Sequence, residues 1–421
     1  MKRFFFDIIE KIFLMKKVFI LSFLFFLFSS CKEEKSNTVL KVGEWRAKMK
    51  VSDSEILPFN FTLKENESSY IMKIRNADET VLVDEFEFYN DSIKIQMPIF
   101  EGYIAGKFSE NKITGSFIKE SLNRVVPFTA EFNRKPRFIA TDKPLVNVSG
   151  VWEVEFDYEG EKPYPAKGIF MQDDNNVTGT FRTNTGDYRY LEGIVDGDEL
   201  KLSTFDGAHV FLFKAAATDS TLNGVFYSGN HSIEKFRAKR NEAFELADPN
   251  TLTYIKDGYD KLDFSFPDAN GKLISLNDEE YVNKVVLVQI MGTWCPNCLD
   301  ETKFYVDYMK ANPNPDLKII GLAFEYAKTQ EKAFKGIRRL KERIEVNYPI
   351  LLAQFGSSDK FLANEKLPML NHVLSYPTTI YIDKTGNIKK IHTGFNGPAT
   401  LEKHEQFKQE FHTTIEELLN D

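Results

Sequence analysis

The chain has 421 residues, of which 42% are hydrophobic and 14% aromatic, the aromatics led by 38 Phe, and it carries a formal net charge of −8. At the usual ~100–200 residues per domain this length implies two or three domains, with apolar material for cores of useful size. Acidic and basic residues are mixed throughout with no basic stripe or arginine-rich block, which excludes a nucleic-acid partner. Only Cys31, Cys295 and Cys298 are present. No disulfide framework can staple the fold, and the one intramolecular dithiol is left for chemistry.

In chain order, residues 1–30 read as an export signal. Lys16 and Lys17 precede the apolar run 18–28, which is followed by Ser29-Ser30-Cys31; the run is too short to span a bilayer as a mature helix. Phe4, Phe5 and Phe6 with Asp7 and Glu10 do not suit the basic start of a signal, so translation is expected to begin at Met15. Phe28-Ser29-Ser30-Cys31 resembles a bacterial lipobox, with Phe where Leu is commoner. The resemblance implies cleavage before Cys31, its diacylation, and anchoring of the protein to a membrane through two acyl chains. The alternative is a free cysteine behind an uncleaved amino-terminal anchor. Residues 31–41 are then a charged tether, and Cys31-Lys32-Glu33-Glu34 resembles tags that carry lipoproteins to the cell surface.

Two all-β units are expected next, at 42–134 and 145–240. Short runs such as Phe59-Asn60-Phe61-Thr62-Leu63 and Leu200-Lys201-Leu202 alternate with period two, and Gly, Asn, Asp and Pro break them apart. The region repeats itself: Gly43-Glu44-Trp45 matches Gly150-Val151-Trp152, and Phe100-Glu101-Gly102 matches Phe205-Asp206-Gly207. Each unit is therefore predicted to be a meander of about eight strands forming a small barrel or sandwich. Trp45 and Trp152 are read as core plugs, with ligand stacking as the alternative. Residues 241–261 are a linker.

From 262 to 421 the pattern changes to α/β. A hairpin is expected at 262–275, around the turn Asp268-Ala269-Asn270-Gly271. The continuous apolar run 285–291 reads as a strand buried on both faces. It leads into Gly292-Thr293-Trp294-Cys295-Pro296-Asn297-Cys298 and a helix to about Lys310. A second buried strand at 317–324, a helix at 329–345, strands at 378–382 and 388–392, and a carboxy-terminal helix complete the pattern. The cysteines therefore sit at the carboxyl end of a strand and the start of a helix. There, unpaired backbone N–H groups favour a thiolate. Cys295 is expected to attack a substrate disulfide, and Cys298, one turn further in, to resolve the mixed disulfide. Pro296 suits a first helical turn.

Trp294-Cys295-Pro296-Asn297-Cys298 resembles the centre of the thioredoxin superfamily. Glu301 fits the Cys-x-x-Cys-x-x-Glu pattern of the membrane-anchored TlpA/ResA-type oxidoreductases. Tyr376-Pro377-Thr378-Thr379 resembles that family's cis-proline loop. The resemblance implies a thioredoxin-like domain and thiol–disulfide oxidoreductase activity, with no cofactor beyond the redox-active disulfide. It also implies protein thiol or disulfide substrates, met by Trp294, Tyr376 and Pro377, and an upstream dithiol donor, a membrane reductase. Glu301 is read as a buried proton relay with a raised pKa, against the alternative of a surface glutamate. The family often has proline just after this position, where Thr302-Lys303 stand here.

Three other functions compete. Copper handling would draw on Cys295, Cys298 and His372, but no ligand-spaced histidine cluster exists. A peroxidase would need a threonine a few residues before the reactive cysteine, and Thr293 is only two before Cys295. A lipid-anchored binding module would use the β units and keep the thioredoxin fold as a scaffold.

Overall fold

Alternating apolar residues in the amino-terminal half have their side chains on one face of a sheet, and that face must be covered. In a computed structural model, which describes residues 39–67, 69–133 and 136–421, the sheets achieve this by curling on themselves. Cys31, the export signal and most of the tether lie outside the described residues.

The first unit contains β1 (Gly43–Lys50), β2 (Ile56–Asn66), β3 (Ser69–Asn76), β4 (Glu79–Val83), β5 (Glu85–Tyr89), β6 (Ser92–Gln96), β7 (Tyr103–Ser109), β8 (Lys112–Lys119) and β9 (Arg124–Phe132). These nine antiparallel strands run in the order β4-β3-β2-β1-β9-β8-β7-β6-β5. Pairing of β1 with β9 curls the meander, and no ladder joins β4 to β5, so a seam remains.

The second unit repeats the plan with β10 (Gly150–Phe156), β11 (Tyr164–Asp173), β12 (Asn176–Thr183), β13 (Gly186–Asp187), β14 (Leu191–Asp196), β15 (Glu199–Phe205), β16 (Val210–Ala217), β17 (Thr221–Ser228) and β18 (Ser232–Arg240). Here β12 pairs with β14 and the barrel closes. The counterpart of β4 has shrunk to the two-residue β13, paired only with Arg182 and Thr183. Nine strands thus stand in each unit where about eight were expected, because the short β4 and β13 carry too few residues to show an alternation.

Trp45 and Trp152 are fully buried. Their indole N–H groups donate to the carbonyl four residues earlier, Lys41 O at 2.8 Å and Val148 O at 2.9 Å. Both rings are therefore core residues with no polar edge left unpaired.

The linker contributes one short helix, α1 (Pro249–Leu252), capped by Asp248. Beyond a small hairpin, β19 (Ser265–Pro267) and β20 (Leu273–Ser275), lies a five-stranded mixed sheet. Its strands are β21 (Val285–Met291), β22 (Leu317–Phe324), β23 (Ile350–Gln354), β24 (Thr378–Ile382) and β25 (Ile388–Thr393), in the order β23-β22-β21-β24-β25. Helices α2 (Pro296–Ala311), α3 (Gln330–Arg343), α4 (Lys360–Lys366) and α5 (Glu402–Asn420) complete the domain. Every residue of β21 is buried, as its unbroken apolar run requires. Phe304 of α2 packs edge-on against Phe411 of α5, ring centres 4.9 Å apart.

The three bodies are packed together. One apolar cluster runs through the first barrel and the redox domain and takes in Phe205 and Leu212 of the second barrel. Phe205 packs at a tilt against Phe59, with ring centroids 4.7 Å apart. Arg137, 5% exposed, joins the two barrels through Ser203 O at 3.1 Å and Asn76 Oδ1 at 3.2 Å.

Candidate active site

The strand β21 ends where its apolar run ends, and Gly292 to Trp294 turn the chain into α2. Cys295 is the N-cap of that helix, and its Sγ accepts the backbone N–H of Cys298 at 3.1 Å. This N–H and the helix terminus are the groups that would stabilise a Cys295 thiolate in the reduced form. Cys295 and Cys298 are joined by a disulfide. Cys295 is 5% exposed and Cys298 fully buried.

The Tyr376–Pro377 bond is cis, and the Tyr376 carbonyl oxygen lies 3.3 Å from Cys295 Sγ. Pro377 turns its own carbonyl to the N–H of Gly394 at 2.9 Å. Trp294 is half-buried. Its indole N–H donates to Phe324 O at 2.9 Å, and its ring meets Tyr376 edge-on at 5.5 Å.

Glu301 is fully buried, and burial pushes its pKa up to about 7. Gln289 Nε2 is 2.8 Å from one carboxyl oxygen; the hydroxyls of Tyr305 and Thr379 are each 3.0 Å from the other. Those two hydroxyls are also 2.9 Å apart. The triangle has three contacts and only two hydroxyl protons, so it is complete only when Glu301 carries the third. None of these bonds runs to sulfur; the link to the cysteines is through Gln289 and α2. Thr302, at the position where the resemblance anticipates proline nearby, donates to Cys298 O at 2.6 Å, and α2 continues unbroken through it.

Sequence reasoning missed two groups. Glu325, at the carboxyl end of β22, accepts the Thr293 backbone N–H at 2.7 Å and the Thr293 hydroxyl at 2.8 Å. It is buried, with a pKa raised to about 7 by desolvation, and it fixes the entry to the cysteine motif. A carboxyl group at the end of the strand beside the cysteine strand is a placement the strand order could have flagged.

The second missed feature is the second barrel itself. Residues 184–187, the turn after β12 and the two residues of β13, lie against the cysteine motif and the cis-proline loop. Ser375 Oγ donates to Thr185 O at 2.8 Å, and Asn297 Nδ2 donates to Asp187 O at 3.0 Å. Gly397 N–H holds the far side, donating to Asp187 Oδ2 at 2.6 Å. Burial lifts the Asp187 carboxyl to about 6. Next to it, Arg189 is 7% exposed in its side chain and donates to Pro296 O at 3.1 Å. Its guanidinium pairs with Glu79 of the first barrel, with Asp206 of the second at 3.3 Å, and with Asp300 of α2. No sequence motif surrounds Tyr188-Arg189-Tyr190, so nothing signalled this role.

What remains open beside Cys295 is a cavity of about 470 Å³ between the two barrels and the redox domain, lined among others by Trp294, Asn297 and Tyr376. Among the described residues, no group of three or more His, Cys, Asp or Glu is arranged to hold a metal ion.

An N-capping cysteine pair beside a cis-proline on a five-stranded sheet defines a thioredoxin-like domain built for thiol–disulfide exchange. Residues 258–391 match the AhpC/TSA family. Over 140 residues the chain is 29% identical to the thioredoxin-like protein YneN of Bacillus subtilis (strain 168), covering 33% of this chain and 73% of that protein. It is 26% identical over 140 residues to the thiol-disulfide oxidoreductase ResA of the same organism, covering 33% and 69%. A solved thiol-disulfide oxidoreductase from Bacteroides fragilis NCTC 9343 is 17% identical and covers 35% of this chain and 99% of its own, with a TM-score of 0.26. The protein is accordingly an oxidoreductase of the thiol–disulfide class, an enzyme whose carboxy-terminal part carries the exchange function.

Proposed function

We propose that the protein is an extracytoplasmic, lipid-anchored reductase of disulfides. Cys31 carries the anchor, and an upstream dithiol protein in the membrane returns electrons to the Cys295–Cys298 pair. The reduced pair attacks through Cys295, whose sulfur faces the cavity. The displaced substrate sulfur leaves as thiolate and takes a proton. Cys298 then attacks the Cys295 sulfur, releases the second product thiol and restores the disulfide. Glu301, protonated near neutral pH, is the proton-holding group behind Cys298 and acts through Gln289.

The observation that carries this reading is Cys295 at the N-cap of α2, with its sulfur 3.3 Å from the cis-proline loop. Equilibration of the pair in glutathione or dithiothreitol buffers tests it. A potential near about −270 mV supports a reductase, whereas one near about −120 mV would make the protein a disulfide donor and reverse the flow. A Cys298→Ser variant should trap the substrate on Cys295 as a mixed disulfide.

A further inference from the structure

The chain's own residues 184–187 cover the side of the cis-proline loop at Ser375, whose Oγ donates to Thr185 O, and the neighbouring Asn297 Nδ2 donates to Asp187 O. The space left in front of Cys295 has the volume of a small-molecule site. Cations outnumber carboxylates on its lining. Lys119, Arg124 and Lys360 line it, and among the described residues neither Arg124 nor Lys360 pairs with a carboxylate. The Lys119 ammonium donates to the Ala208 carbonyl at 2.5 Å, with the buried Asp206 as a nearby carboxylate. The carboxylate lining the cavity, Asp187, is held by the N–H groups of Gly397 and Arg189. Two buried polar atoms at the cavity also lack partners, the hydroxyl of Tyr376, a residue 7% exposed, and Oδ1 of Asn297. Buried polar atoms rarely stay unpaired, and a free hydroxyl can donate to a carboxylate acceptor.

We propose that this cavity is the substrate site for a low-molecular-weight anionic disulfide, with a carboxylate end taken by Lys119, Arg124, Lys360 and the Tyr376 hydroxyl, and the sulfur–sulfur bond set against Cys295. The inference rests on the thiol–disulfide reading above and names its substrate class. The Cys295 thiolate attacks one substrate sulfur, breaking the substrate S–S bond and forming a mixed disulfide. The first product leaves as a thiolate and is protonated. The Cys298 thiolate then forms the intramolecular disulfide and expels the second product thiolate. Two electrons pass from the protein dithiol to the substrate, and a dithiol protein must restore them.

Three disulfides of similar size isolate the charge: dithiodipropionate with two carboxylates, hydroxyethyl disulfide with none, and cystamine with two ammonium groups. The full chain, reduced with dithiothreitol and desalted, is mixed with each. Oxidation of the Cys295–Cys298 pair is followed by acid quench, alkylation and mass. Dividing each rate by that of the same disulfide with free dithiothreitol removes differences in intrinsic reactivity. The dianion should lead the dication by about 10- to 1,000-fold, the range a charged cleft produces. The gap should narrow with added salt and in the Arg124→Gln/Lys360→Gln double variant. Equal normalised rates, or a lead for cystamine, would overturn the anion site and leave thiol–disulfide exchange standing. Failure of all three to oxidise the dithiol would overturn both. The salt series on the unaltered protein decides the question even where the double variant does not fold.

Discussion

Replacing Arg189 by Ala should weaken the protein more than any other single surface-to-core change near the site. The guanidinium meets Glu79, Asp206 and Asp300, whose side chains are 10%, 1% and 12% exposed, and it also satisfies the Pro296 carbonyl. Removing one partner of a buried pair costs about 3–5 kcal/mol, because the charges left behind are neither solvated nor paired. Three carboxylates are left here, although Asp206 keeps His209 at 3.0 Å. Against the burial that opposes it, His209 and Arg189 hold the Asp206 carboxyl below the usual range, so the arginine's share of that stability is present at neutral pH and fades only in acid. Urea denaturation at pH 7.5 measures the deficit. Alkylation of Cys295 in the dithiothreitol-reduced protein reports whether the second barrel has come away from the cysteine motif; it should accelerate at least about tenfold, the equivalent of 1.4 kcal/mol. A deficit below about 1 kcal/mol at pH 7.5, with alkylation unchanged, would refute the idea that this arginine ties the three bodies together.

Further outcomes follow from the same geometry. Glu301 has a native pKa of about 7 against 4.5 when unperturbed. A raised carboxyl lends stability that is complete below about pH 4.5 and lost as pH rises through about 7, amounting to about 3 kcal/mol. Glu301→Gln should remove that share of the slope from a urea stability profile and move the pH dependence of the exchange rate; an unchanged profile and unchanged rates would discard its proton-holding role. Glu325→Gln keeps the shape but exchanges one acceptor oxygen for a donor facing the Thr293 N–H or hydroxyl. It should cost about 1–3 kcal/mol by urea denaturation. Gly186 has φ +136°, and a Cβ there would strike the Asn297 side chain. Gly186→Val should lift the turn, lower the melting temperature and admit insulin to the reduced Cys295 faster than the unaltered chain does.

Much of the redox domain is legible because its signals are local. The apolar run of β21, the proline at the first turn of α2 and the turn residues around Asp268 and Gly386 each dictate their own conformation. The β repeats are legible for a related reason: Trp45 and Trp152 open equivalent strands and close the same bond to a carbonyl four residues back. Strand β23 and helix α4 escape, since five and seven residues are too few to establish a period. The site beyond the motif escapes for a different reason. Glu325, Asp187 and Arg189 gain their meaning from residues 32 to 210 positions away, and a lone acid or arginine in an alternating β region has the same pattern whether it faces water or a neighbouring domain.

That difference bears on what the β units are for. A spacer between anchor and redox domain would need only to be folded, and its surface beside Cys295 would be free to vary in shape and charge. Here the second barrel shortens the counterpart of β4 to two residues, so the chain at 184–187 can reach the cis-proline loop instead of completing a longer strand. The first barrel supplies Lys119 and Arg124 to the cavity and Glu79 to the arginine cluster. Both repeats therefore contribute walls to the space in front of Cys295. The exchange chemistry lies in the thioredoxin-like domain, and the amino-terminal units bound the space in which it takes place.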